Sequence, residues 1–290
     1  MQNSITHHHL CAVINSEIEK RSVPPVIRIL DMGCGNGQMI AFLQRKLYQL
    51  RENLKFEIYG FDVMDSNVQA SAYFDRTFKF LGQEFAYIDW GKRIFKITTK
   101  QEWPFQEGFF DYVISNQVME HVFDHDFSFQ QIRRVLADDG VSVHLFPLMN
   151  YMYEGHLLLP FVHRISNTDL LFDYIKVCSL LGLGKYRQFF PLGSTSDLTF
   201  FCRKHTDYMI YETNYLSPQE VYKIAKRNRM RCSFRYTEEY YFNKLRQVLR
   251  LPLKYKYSLI RHPWWERMLF VFLVRLSSVT LVLEKSNMYQ

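Results

Sequence analysis

The chain has 290 residues, 48% of them hydrophobic and 17% aromatic, enough apolar mass for a packed core and too much for a disordered chain. Its net charge is +7, and its five cysteines are scattered without paired spacing, which argues against a disulfide framework or a zinc site and fits a reducing, cytoplasmic setting. No basic-then-apolar signal segment opens the chain. The longest apolar stretch, residues 268–283, carries Arg275, Ser277 and Ser278 and falls short of the ~20 residues of a membrane span.

In chain order, residues 1–23 read as an N-terminal tail or helix, and His7, His8 and His9 within it are given no function. Residues 26–30, V-I-R-I-L, read as a short buried parallel strand. Asp31 closes it, Gly33, Gly35 and Gly37 follow at alternate positions, and a helical pattern runs over 38–48. Glycines allow a tight turn and bare backbone for a ligand, and the helix brings its positive N-terminal end to the same spot. With Asp31 as a fixed negative charge, the site suits a ligand carrying both an ammonium and a carboxylate. A second strand, 56–62, ends in Asp62, where a carboxylate can accept both hydroxyls of a ribose. Residues 131–137 read as an amphipathic helix stopped by Asp138-Asp139-Gly140, and 141–146 as a fifth strand before Pro147. Residues 268 onward read as a helix followed by a last strand over 279–285.

The stretch D-M-G-C-G-N-G at 31–37 resembles motif I of the class I S-adenosylmethionine-dependent methyltransferases, acid-x-Gly-x-Gly-x-Gly. A dinucleotide-binding turn needs Gly-x-Gly-x-x-Gly, and here the third glycine comes one residue early, with Gln38 in the dinucleotide position. The segment 103–122 resembles the fourth-strand region of the subgroup that includes ubiquinone-pathway O-methyltransferases (methyltransferase type 11): a Pro-Phe turn, a Phe-Asp-x-Val strand and a Glu-His-Val ending. The resemblance covers roughly residues 24–150. It implies a Rossmann-like, seven-stranded, mostly parallel α/β sheet with helices on both faces, and a last strand inserted antiparallel at the sheet's end. It implies S-adenosylmethionine as cofactor, with Asp31, Gly33, Gly35, Gly37, Asp62, Asn116 and Gln117 as cofactor-binding residues. In the family an acid follows the third strand and contacts adenine. Here Thr99 or Lys100 holds that place, so adenine is left to Trp103, Glu102 or backbone groups.

These readings divide the chain into the tail, a cofactor-binding core over 24–148, an insertion over 149–216, and a C-terminal part over 217–290. The insertion follows the fifth strand and contains an apolar helix over 168–183, a Gly182-Leu183-Gly184 break and an aromatic stretch over 186–190. Loops past the carboxyl ends of such strands face the ligand crevice, so it is expected to form a helical lid over the substrate. From Glu220 to Thr280 fourteen Lys or Arg stand against four Asp or Glu, interleaved with Tyr236, Tyr240, Tyr241, Tyr255, Tyr257, Trp264 and Trp265. Such a mixture suits either an ordinary solvated face or peripheral contact with an anionic membrane, and nucleic acid less well.

The expected function is methyl transfer to oxygen of a small, glycan- or lipid-linked acceptor. N- or C-methylation, or a catalytically silent scaffold, are the alternatives. His121, just past the fourth strand, is the candidate catalytic residue: it could take a proton from a hydroxyl, or it could hydrogen-bond backbone. Glu120 reads as structural or cofactor-supporting. Glu154, His156 and His163 fit no standard metal spacing, and no metal is expected.

Overall fold

The computed structural model describes residues 4–21, 24–65, 73–186, 196–258, 260 and 262–286. Helix α1 (Ile5–Glu19) leads into β1 (Val26–Met32), α2 (Gln38–Leu50), β2 (Lys55–Val63), α3 (Tyr73–Glu84), β3 (Ile94–Ile97) and β4 (Phe110–Asn116). Then follow α4 (His125–Val135) and β5 (Leu136–Pro147). These strands and two late ones, β8 (Met230–Ser233) and β9 (Ser278–Lys285), form a seven-stranded sheet in the order β3-β2-β1-β4-β5-β9-β8. All pairings from β3 to β5 are parallel, while β9 runs antiparallel to both β5 and β8. The expected sheet is borne out, with one refinement. The last strand lies one position in from the edge, because β8 pairs along its outer side. β8 went unread because a four-residue strand carries too little periodicity to stand out.

The strands are apolar on both sides because both faces are covered. On one face Ile27, Ile29, Tyr112, Ile114, Val143 and Val282 pack with residues of α1, α2 and α3. On the other Leu30, Phe110, Val113, Leu281 and Leu283 pack with residues of α4 and α7 (Pro218–Arg227). The helix expected over 131–137 sits earlier. The Asp124 side chain accepts the Phe127 N–H and caps α4 at its start, and the chain turns extended at Leu136. Asp138-Asp139-Gly140 therefore lie inside β5, past an irregularity in its pairing with β4, and do not form a helix stop.

The three histidines of α1 are no loose tail. His9 is wholly buried, with Nδ1 2.8 Å from the Tyr257 hydroxyl and Nε2 2.8 Å from Thr280 Oγ1. Burial pushes its pKa down to about 3, so it packs as a neutral ring.

Residues 149–216 leave and return at one point: the Met149 N–H donates to the Leu216 carbonyl at 2.9 Å. Between lie a short ribbon of β6 (Tyr153–Glu154) and β7 (Leu159–Pro160), α5 (Thr168–Leu180) and α6 (Ser196–Tyr211), around a small core of their own that includes Leu157, Leu171, Ile175 and Phe201. Of the aromatic stretch over 186–190, Tyr186 packs on Phe201 and the rest lies outside the described residues. α8 (Thr237–Val248) and α9 (Pro263–Leu273) complete the fold. No described helix is long and apolar enough to cross a membrane.

Candidate active site

The strand order reverses between β1 and β4, and a crevice opens there at the carboxyl ends of the strands, where this sheet topology places ligands. Its volume is about 750 Å³, within the range of roughly 300–1,000 Å³ of small-molecule sites. It is lined by Gly33, Gly35, Asp62, Asn116, Gln117 and His121 among the residues singled out from sequence.

One wall is backbone. After β1 the Gly33 and Cys34 amides both donate to the Phe61 carbonyl, at 2.9 and 3.0 Å, which ties the turn to β2. Gly33 (φ +69°) and Gly35 (φ +53°) are in the left-handed region that favours glycine. A Cβ on Gly33 would meet Val118 Cγ2 at 2.6 Å, and one on Gly35 the Tyr73 hydroxyl at 2.9 Å. Asp62 accepts the Gly35 N–H at 2.8 Å through Oδ2 and the Val63 N–H at 2.9 Å through Oδ1. Burial raises its pKa, and these two N–H groups pull against that. A carboxylate has about four lone-pair sites, so it is an acceptor able to serve more than one donor.

Asp31 and Gly37 do not line the crevice. Asp31 is buried behind it, with Oδ2 lacking a hydrogen-bond partner, and burial and then the nearby Asp62 charge raise its pKa well above the carboxylate range. Gly37 (φ +74°) starts α2, and a Cβ there would press on Leu81 at 3.0 Å, so this glycine serves helix packing.

Where the family pattern has an acid, Thr98, Thr99, Lys100 and Trp103 line the crevice. Asp65 holds Thr99, accepting its N–H and its hydroxyl, both at 2.9 Å. Trp103 packs on Phe61 with ring centroids 4.6 Å apart. Glu102, the other side chain considered for adenine, does not line the crevice; it is exposed and paired with Arg134 at 3.1 Å.

The facing wall is made of side chains. Gln117 follows β4 with φ 56°, a strained value for a residue with a side chain. Its N–H donates to the Leu145 carbonyl at 2.8 Å and its Nε2 to Ser278 Oγ at 2.9 Å. Asn116 Nδ2 donates to Thr6 Oγ1 at 3.1 Å, reaching α1. His121 ends the 3-10 turn Met119–His121, and its Nδ1 lies 2.6 Å from the Glu212 carbonyl oxygen. A carbonyl only accepts, so Nδ1 carries the proton and the lone pair of the neutral ring is on Nε2. Burial lowers the His121 pKa against the raising effect of that carbonyl, and His156 lowers it further.

Behind His121 stands a network built on Glu154 and His156, whose tyrosine partners sequence reading did not single out. Glu154 is fully buried and accepts His156 Nδ1 at 2.6 Å, the His156 and Leu157 amides at 2.9 and 2.6 Å, and the Tyr151 and Tyr215 hydroxyls at 3.2 and 3.1 Å. Burial works to raise its pKa, but these donors, His156 foremost, outweigh it and bring the pKa down to about 2. The His156 ring lies 5.3 Å from His121 and 5.2 Å from Tyr208. Glu120, also buried, has neither carboxylate oxygen hydrogen-bonded, and burial raises its pKa to about 8. His163 faces elsewhere, with Nε2 3.1 Å from the Met149 carbonyl, and no group of three metal ligands occurs among the described residues. No local motif marks this network, whose members span residues 120 to 215.

A glycine turn at the switch point of a sheet with this strand order defines the class I methyltransferase architecture. The family model described as "Methyltransferase domain" matches residues 6–174, more than half of the chain. The chain belongs to that family, and its methyl donor is S-adenosylmethionine. PKMT2 from Rickettsia typhi superposes with a TM-score of 0.52 at 12% identity, covering 98% of this chain and 54% of that one, which is a likeness of fold. YcgJ from Bacillus subtilis (TM-score 0.47, 14% identity, 97% and 100% covered) and an S-adenosylmethionine-dependent methyltransferase from Mesorhizobium loti (0.48, 15%, 91% and 94%) are also similar. No curated protein matches the chain.

Proposed function

We propose that this methyltransferase acts on an oxygen atom of a small, glycan- or lipid-linked acceptor, with His121 as the proton acceptor. The observation that carries this reading is the His121 Nδ1 contact with the Glu212 carbonyl beside the crevice. It leaves Nε2 as the basic nitrogen, and burial keeps the ring neutral at neutral pH.

Bare backbone at Gly33 and Gly35 and the Asp62 carboxylate would hold the donor, with Thr99 and Trp103 at its adenine end; Asp31, whose raised pKa favours the neutral acid, supports the turn from behind and is not the fixed negative charge expected of it. Gly37 supports the turn through packing, and Asn116 and Gln117, which line the same crevice, would be further donor contacts. The donor supplies a methyl group on a sulfonium, already a good leaving group. The protein's share is to align the acceptor oxygen with that methyl, exclude water and receive the hydroxyl proton. Tyr211 and Glu212 bring residues 149–216 to the crevice mouth, which supports a lid role for that insertion. The positive C-terminal part supports peripheral contact with an anionic membrane.

The test is His121→Ala, read as methyl incorporation from labelled donor into cell extract. Turnover falls by about 10²–10⁴-fold with donor affinity kept. In the parent the rate rises with pH through a pKa below the usual 6.5 of histidine, because the base works only when neutral. Unchanged turnover in the variant makes His121 a structural residue.

A further inference from the structure

We propose that the outer side of α9, with the chain leading into it, is a docking surface for an anionic phospholipid bilayer, placed to pass a membrane-borne acceptor to the crevice. The inference rests on the lipid-linked arm of the acceptor reading above.

Helix α9 reads P-W-W-E-R-M-L-F-V-F-L, yet little of it is covered. One side packs inward, where Phe270 stacks on Phe234 with centroids 4.4 Å apart and Val274, just past the helix, is buried. On the other, Trp264 is 61% and Phe272 62% exposed, with Trp265 and Val271 also open to solvent. Val248 and Ile260, before the helix, are more exposed still. Large apolar groups gathered this way mark an interaction site.

The charges choose the partner. From Lys244 to Arg275 eight Lys or Arg accompany a single acid, Glu266. Arg267 lies within the helix and Arg275 just past it, and both are exposed, as are Arg250 and Lys254 in the chain leading into it. A second copy of this face would set like charge against like. An anionic bilayer offers phosphate to the cations, an interface to the two tryptophans and acyl chains to the apolar side chains. The tyrosines interleaved with the charges take no part: Tyr236, Tyr240 and Tyr257 are buried in the core shared with α1, while Tyr241 and Tyr255 are half-buried against it.

The surface adjoins the crevice. The Arg275 carbonyl accepts the Met152 N–H at 2.9 Å, and the Met152 carbonyl accepts the Phe161 N–H at 2.8 Å. Met152, Tyr153 and Phe161 are themselves exposed and continue the apolar surface onto the insertion. Three residues past Arg275, Ser278 meets Gln117 of the crevice wall. A bilayer under α9 therefore lies against an element whose continuation borders the crevice at Gln117.

The test is co-sedimentation of the full chain with vesicles of phosphatidylcholine alone or mixed with phosphatidylserine, beside a calorimetric titration with S-adenosylmethionine in buffer. We expect binding to the mixed vesicles near 0.1 M salt and release near 1 M, where the screening length falls from about 10 Å to 3 Å. Trp264→Ala with Trp265→Ala, and separately Arg250→Glu with Arg267→Glu, should each weaken it at least tenfold, with donor affinity and melting temperature unchanged. Equal binding to both vesicle types, or to neither, overturns the docking surface. So does vesicle binding untouched by either pair of substitutions, or self-association or single-stranded oligonucleotide binding that they abolish instead. Label recovered only on water-soluble acceptors overturns delivery from the membrane, and donor binding in buffer reads the cofactor site independently of both.

Discussion

The crevice has two unlike walls, each built around a buried carboxylate. On the glycine wall Asp62 is held by two backbone amides from the same two strand ends. On the histidine wall Glu154 gathers five donors, two of them tyrosines, one 61 residues away. Each wall also keeps a buried acid with an unpartnered oxygen, Asp31 on one and Glu120 on the other. The difference is one of origin. The first wall is a local motif whose geometry follows from the turn, and the second exists only once the insertion has folded back on β4.

The comparison is sharpened most by acting on the second wall. Glu154→Gln leaves His156, Tyr151 and Tyr215 without their charged acceptor, and losing a hydrogen bond to a charged group costs about 1.5–3 kcal/mol. The thermal midpoint should drop accordingly, and the His121 limb of the pH–rate profile should shift. With its pKa depressed to about 2, Glu154 contributes stability that is present above its unfolded value and lost as pH falls through about 2. A variant melting like the parent at neutral pH would mean that the network contributes no stability.

Glu120 has the opposite sign. Its folded pKa of about 8 exceeds the unfolded value, so the fold loses stability as pH rises from the ordinary carboxylate range through about 8. Glu120→Gln removes that loss, and melts at pH 6 and pH 9 should then agree more closely than in the parent. An unchanged gap would assign the pH dependence elsewhere.

On the glycine wall Asp62→Ala removes a charged acceptor worth about 1.5–3 kcal/mol, or roughly 10- to 150-fold in donor affinity. Titration of the folded variant reads this directly. Gly33→Val is the poorer probe, because it would strain φ and strike Val118 before any ligand is considered. The smallest effect is expected from Asp65→Ala, which frees Thr99 and should weaken donor binding by about fivefold, near 1 kcal/mol. No change would remove Thr99 from the adenine end.

The sequence by itself determined the first wall and the sheet. Alternating glycines after a strand, a second strand ending in Asp62 and the Phe-Asp-x-Val run are contiguous patterns, and contiguous residues in a turn have few geometries to choose from. It also placed His121 past β4. It did not tell that Gly37 faces Leu81, that Glu102 pairs with Arg134, or that His9 fills the core between Tyr257 and Thr280. Those outcomes depend on which distant element lies opposite. The same holds for Glu154 with Tyr215, and for two helices of contrasting fate. α1 carries three histidines and is almost wholly buried, while the more apolar α9 is largely exposed. Apolar character is a property of a segment, but burial requires a partner, and within the chain only tertiary structure supplies one.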